Sequence, residues 1–357
     1  MSVAVAAAPV ANEAAFIRQT HNIVRDLMPH KAWIYWVDFL GSMVMAIVGL
    51  YLFLVEPLFS WQSVAGFFVA GFLLYRASVF THELSHMAPS RYRGFRFVWN
   101  LLFGIPFLMP SFFYTDHRVH HVNQLYGTRG DAEYYPYAQE TVLRLVLNIF
   151  VIFLIPFMLV ARFSVLTIAS VISPRLNQWV WRKASSLGNM NPGYVRAQGD
   201  ADERFSRLWQ ETGCFLVVMS LAILTAVGMI PWQIPVKIYS IYVFVTFVNQ
   251  LRVYAAHGYT FNAEPMTFLE QMLDSTTIPG GPWSGLWAPL GMRYHALHHL
   301  FPTMPYHAMG QAHRRLLKQL PSNSPYHATL RPSLLAALGE LFRAARAQQT
   351  RREASPA

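Results

Sequence analysis

Long apolar stretches alternate with short polar ones along this chain, and its histidines gather at the boundaries. Four stretches are predicted to be membrane-crossing helices: residues 32–55, 61–81, 214–230 and 234–256. Roughly 20 apolar residues span the hydrocarbon core, a length that the first two reach. The third falls short, which leaves its start open by several residues. The connection 56–60 holds no lysine or arginine, and Pro231-Trp-Gln-Ile-Pro235 turns the second pair, so two hairpins are expected. Trp33, Trp36, Trp61 and Trp232 fall near helix ends, where aromatic belts form.

The run 145–173 fits that scheme less simply. It is apolar but broken by Ile155-Pro156-Phe157 and by Arg162. Two crossings would need about forty residues, so a re-entrant or interfacial hairpin is expected, packed against protein. Residues 97–114, with Pro106 and Pro110, should lie along the interface, and 185–202 read as a polar loop. Residues 333–346 have the pattern of an amphipathic surface helix, followed by a frayed tail at 351–357. The expected organisation is an N-terminal segment 1–31, a membrane domain 32–320 and a C-terminal helix and tail 321–357. No internal repeat is seen.

Composition supports an all-α, polytopic membrane protein: 54% of residues are apolar and only 13% charged. The first thirty residues lack the basic start of a secretory signal. The net charge of +10 is concentrated in 175–207 and 293–352. The positive-inside rule then places both termini and the histidine-rich segments in the cytoplasm, most simply at an inner, cytoplasmic membrane. The basic residues flank apolar segments and form no separate basic domain, which argues against nucleic acid. They suit an acidic carrier protein or lipid headgroups. The single cysteine, Cys214, sits in an apolar run and reads as a small buried hydrophobe. Intrachain disulfides, thiolate zinc sites and an internal iron–sulfur cluster are excluded.

Three histidine motifs carry the chemistry: His82-Glu-Leu-Ser-His86, His117-Arg-Val-His120-His121 and His295-Ala-Leu-His298-His299. Residues three and four apart share a helix face, so each motif aims its rings in one direction. Imidazoles so crowded would repel one another if protonated, and a cation keeps them neutral. One zinc needs three or four ligands; eight imidazoles suggest two ions. His82-Glu83-Leu84-Ser85-His86 also satisfies the H-E-x-x-H pattern of zinc proteases, but a membrane protease would leave six clustered histidines unused. A non-catalytic metal or haem transporter would string its histidines along a transmembrane path, whereas these gather at one face. Glu83 is expected to accept the free N–H of a metal-bound imidazole, and Asp131, with Glu133, to serve similarly behind the second motif.

With Thr81 ahead of the first motif and Tyr294-His-Ala-Leu-His-His-Leu-Phe-Pro-Thr-Met-Pro-Tyr-His307 around the third, the chain resembles the integral-membrane fatty acid desaturase family, relatives of membrane hydroxylases and ketolases. The resemblance covers about residues 32–320, is specific for the superfamily and says little about the reaction. It implies two iron ions held by His82, His86, His117, His120, His121, His295, His298 and His299, with O2 as co-substrate. It adds His257, which matches a ninth histidine often recruited from the end of the fourth helix. An asparagine four residues before that histidine in the thioester desaturases is here Val253, which puts that water-bridged contact in doubt. No fused haem domain is evident, so the implied electron donor is a ferredoxin- or rubredoxin-like protein with its reductase.

The function expected is O2-dependent desaturation of a lipid or acyl-thioester chain. Hydroxylation, and oxidative decarboxylation to a terminal alkene, are the alternatives on the same scaffold. An arginine beside the site would favour the latter. Arg76 and Arg252, near helix ends on the metal side, are candidates to bind a substrate carboxylate or phosphate, since charge at that depth is costly and tends to be functional. His21 and His30 read as surface or interfacial. His307 and His313 could orient ligands or pack structurally, and His327 has no evident role.

Overall fold

The computed structural model describes residues 13–354 apart from 89, 91, 187–190, 192, 198–200 and 261–264, with backbone alone at 201–205. After an N-terminal amphipathic helix α1 (Glu13–Val24), the first hairpin comprises α2 (Ala32–Val55) and α3 (Trp61–His86). Ser60 caps α3 by accepting the Ser63 N–H at 3.1 Å. The two helices meet backbone to backbone at Gly49 and Gly66. A Cβ on Gly66 would stand 2.5 Å from the Gly49 carbonyl oxygen, and one on Gly49 would stand 2.9 Å from the Ala70 nitrogen. Small residues permit such approaches where the surrounding lipid offers no hydrophobic drive. The helix α3 runs five residues beyond the expected Thr81, so the first histidine motif forms its last turn.

Chain between the hairpins is broken into short pieces. Helix α4 (Arg93–Trp99) widens into a π-turn at Asn100–Gly104 and stops before Pro106 and Pro110, which cannot donate. The Asn100 side chain holds Ser111 by two hydrogen bonds of 2.8 and 2.9 Å, which turns the chain into α5 (His117–His120). Next come α6 (Val142–Phe150), α7 (Ile155–Phe163), α8 (Val165–Ile172) and α9 (Pro174–Ala184). Pro156 sits in the first turn of α7, where its missing N–H costs nothing, so it starts a helix instead of breaking one. The break falls at Ser164.

The last two long helices are α10 (Ala201–Ala226) and α11 (Gln233–Tyr254). Helix α10 begins well before the expected 214 and ends before 230, with Gly228 in the left-handed region at φ +77°. Its early turns are polar, which hid them; inside the fold Glu211 pairs with Arg162 and Arg207. These helices are less a hairpin than a splayed pair, for α10 packs on α7 while α11 packs on α3. Gly71 makes the latter possible, since a Cβ there would meet the Phe244 ring at 2.5 Å. At the end remote from the histidines, Lys237 of α11 donates to the carbonyls of Phe53, Leu54 and Glu56 at 2.8–3.1 Å, closing the C-terminus of α2.

Among the described residues, five helices are thus long and apolar enough to cross a membrane; the fifth, Ile155–Ile172, is α7 with α8. The remainder forms a helical cap: α12 (Phe268–Asp274), α13 (Ser284–Trp287), α14 (His295–Leu300), α15 (Tyr306–Gln319), α16 (Pro325–Ala328) and α17 (Leu334–Ala354). A capping box of Thr267 and Glu270 starts α12. Helix α1 packs on α15. The C-terminal helix reaches Ala354, so residues 351–354 are helical and not a frayed tail, while 355–357 lie outside the described residues. The loop expected at 185–202 is non-helical where described and gives way to α10 at Ala201. No strand occurs among the described residues. Isolated bridges tie His257 to Ser275, and Thr277 to both Tyr294 and Leu330.

Candidate metal centre

Three kinds of support bring the nine histidines together. Helix α3 carries His82 and His86 one turn apart. The single turn α5 and the short α14 carry the second and third motifs. His257 arrives just past α11, where the extended residues 274–278 bind it to α14: Thr276 N–H donates to Ala256 at 2.9 Å, and Ala296 N–H donates to Thr276 at 3.0 Å.

The rings sort into two groups. His82, His86, His117 and His298 can present donor nitrogens within 4.8 Å of one another, and so can His120, His257, His295 and His299. His121 stands between the groups, its Nε2 3.1 Å from Nε2 of both His117 and His298, with its ring centroid 4.6 Å from that of His299. A third such approach joins His295 and His257 at 3.0 Å.

Both nitrogens of His82 and of His299, and Nε2 of His86, are buried without a hydrogen-bond partner. Burial normally forces such groups to be satisfied, and a metal ion between converging lone pairs does this. Burial also pushes the pKa of His121, His298 and His299 well below the usual imidazole range, with neighbouring imidazoles adding to the shift. Those three rings are therefore neutral, the form that binds metal. All-imidazole sets suit zinc, copper, iron or nickel.

Carboxylates brace the second group more than the first. Asp131, fully buried, accepts from His120 Nδ1 at 2.8 Å and from the backbone of Gly127 and Glu133. Burial alone disfavours charge on His120, but Asp131 outweighs it and holds that imidazole above its usual range. Asp274 accepts from the hydroxyls of Tyr126 and Tyr134 at 2.9 Å, and Tyr126 and Ser275 also contact His257 Nδ1 at 2.9 and 3.1 Å. In the first group only His117 has a close carboxylate, Glu133 at 2.8 Å, whose pKa burial raises to about 7. Glu83 is otherwise engaged: it accepts from the Tyr35 hydroxyl at 2.8 Å and the Tyr306 N–H at 3.4 Å, and stands 3.9 Å from His82 Nδ1, too far to accept its proton.

The two arginines part company. Arg76 forms a paired contact with Asp38, which also accepts from the Tyr306 hydroxyl at 2.7 Å. Arg252 instead faces a cavity walled by His82, His117, His120, His257 and His295, together with Tyr114, Glu133 and Tyr259. His307 and His313 lie outside both groups; the Tyr326 hydroxyl contacts His313 Nδ1 at 2.8 Å, and the Lys31 N–H donates to His307 Nε2 at 3.4 Å. Asp274 and its tyrosines escaped the sequence reading because they lie in no motif. The only signal for Asp274 is its position between His257 and the third motif, and Tyr126 and Tyr134 follow the second motif.

Membrane-length helices carrying an all-histidine, two-group cluster define a membrane-bound metal oxidoreductase. The Fatty acid desaturase family model matches residues 59–330, and the chain belongs to this family, whose members are diiron enzymes that use O2. Over 356 residues it is 35% identical to a ceramide hydroxylase of Caulobacter vibrioides (strain NA1000 / CB15N), covering 98% of this chain and 99% of that relative. No solved structure matches.

Proposed function

We propose that this protein is an O2-dependent hydroxylase of ceramide-like lipids. The observation that carries the reading is the correspondence with a ceramide hydroxylase from end to end, membrane helices and cap alike. The cavity beside the cluster supports it. Arg252, Tyr114, Glu133 and Tyr259 make a wall suited to the amide and hydroxyl end of a lipid, whereas mid-chain desaturation calls for an apolar wall around the reacting methylenes. Hydroxylation therefore displaces desaturation as the preferred outcome.

Two iron ions would be held by the two imidazole groups, with His121 placed to serve either. Iron would supply O2 activation: one oxygen atom enters a C–H bond and the other leaves as water, consuming two electrons and two protons. The side chains keep the imidazoles aimed, with Asp131 holding the proton on His120 Nδ1 so that Nε2 is left for the metal. Asp274, through Tyr126, and Ser275 orient His257. The cluster lies on the cytoplasmic side, the charge distribution favouring that orientation. Electrons would come from a soluble ferredoxin- or rubredoxin-like donor with its reductase. The run 145–173 lies re-entrant or interfacial, broken at Ser164.

The test is mass spectrometry of lipids from cells supplied with ceramide and expressing the chain or its His120→Ala variant. A ceramide carrying one added oxygen, absent with the variant, is expected. Loss of two hydrogens instead would restore desaturation.

A further inference from the structure

Arginine burial separates one residue from its peers. Arg162 donates to Glu211, to Ser185 Oγ at 2.9 Å and to the Ala184 carbonyl at 2.8 Å. Arg196 donates to the Phe112 carbonyl at 2.9 Å, to the Ser185 carbonyl and to Thr115, with Asp116 alongside. Such saturation is what a buried guanidinium demands, since an unpaired charge away from water is costly.

Arg252 lacks it. Its Nε and Nη2 both donate to a single neutral oxygen, Asn249 Oδ1, at 3.2 and 3.0 Å. Among the described residues no carboxylate lies within ion-pairing distance of it. The Tyr75 hydroxyl oxygen is its other hydrogen-bond partner, again neutral, while Tyr114 and Tyr259 donate away from it, to Glu133 at 3.1 Å and to the Val253 carbonyl at 2.6 Å. Glu133 accepts from Tyr114 and lies 2.8 Å from His117 Nδ1. A guanidinium has five N–H donors, so Arg252 keeps donors to spare, on the wall of the cavity that the imidazoles also line.

We propose that Arg252 anchors the substrate by gripping the acyl carbonyl oxygen of a lipid amide, so that oxidation falls on the carbon next to that carbonyl. This rests on the ceramide reading and deepens it. The short reach follows from the site: anchor and imidazoles line one cavity, so a carbon presented to the cluster is only a few bonds from the anchored oxygen. Asn249 is a positioning residue, taking two donors so that the others point at the lipid.

The experiment measures binding to the full-length, metal-free protein in detergent, by fluorescence of a labelled ceramide and of its analogue with a methylene in place of the carbonyl. The wild type should prefer the carbonyl by roughly tenfold to a hundredfold, the range for a hydrogen bond to a charged group. Arg252→Met should lose the preference, Arg252→Lys keep part of it, and Asn249→Ala reduce it without removing the charge. An undiminished preference in Arg252→Met overturns the anchor. If that variant does not fold, an undiminished preference in both Arg252→Lys and Asn249→Ala overturns it. Metal-loaded wild type with an electron donor then separates the two readings by product mapping. A desaturated ceramide together with Arg252-dependent binding overturns the hydroxylase reading and leaves the anchor standing. Hydroxylation far along the chain overturns the anchor and leaves the hydroxylase.

Discussion

The two imidazole groups reach similar compactness by different means. The first relies on helix register: His82 and His86 sit one turn apart on α3, a helix locked against α2 by the Gly49–Gly66 approach. The second relies on hydrogen bonds: its four rings come from a single turn, a loop and a short helix, and buried carboxylates brace His120 and His257. Among the described residues, the helix-borne His82 and His86 have no carboxylate within hydrogen-bonding reach, whereas His120 on its single turn and His257 on its loop are each held at Nδ1.

The largest effect should come from removing a ring. His299→Ala is expected to abolish product and to lower the metal content, by elemental analysis, from near two ions per chain to near one, with the helix-borne group still loaded. Equal loss from both groups would erase the distinction between them. Next is the bracing: Asp131→Asn and Asp274→Asn should weaken metal binding roughly 10–100-fold, the usual consequence of losing an orienting partner. Glu83→Gln, beside the first group but 3.9 Å from His82 Nδ1, should leave affinity unchanged in the same chelator competition. Helix packing is the counterpart test. Gly66→Val places carbon against the α2 backbone and should cost about 1–3 kcal/mol, read as a lowered Tm. The smallest effect is expected from Lys237→Met, which frees three carbonyls at the membrane end remote from the site. It should cost about 1 kcal/mol and leave metal content intact.

What the sequence discloses follows the same divide. Apolar runs announced α2, α3 and α11 to within a few residues, because membrane burial depends on composition alone. The motif histidines announced themselves by helical spacing. The start of α10 stayed hidden because Glu211 and Arg207 look like loop residues until Arg162 is placed beside them. Asp274 carries no local mark. Arg76 and Arg252 are alike on the page, and only packing gives one an aspartate and the other a cavity. Pro156 looked like a helix breaker, yet it sits where proline begins a helix.

The nine rings span residues 82 to 299, a fact with a consequence for biogenesis. The first hairpin emerges from the ribosome and can enter the bilayer long before His295 has been synthesised. Neither group can be complete until nearly the whole chain exists, because each takes at least one ring from the third motif. Metal loading is therefore a late event, and every newly made molecule passes through a period of open, neutral imidazoles. In that interval the availability of iron, against other metals that imidazole welcomes, decides whether an enzyme or an inert metalloprotein results.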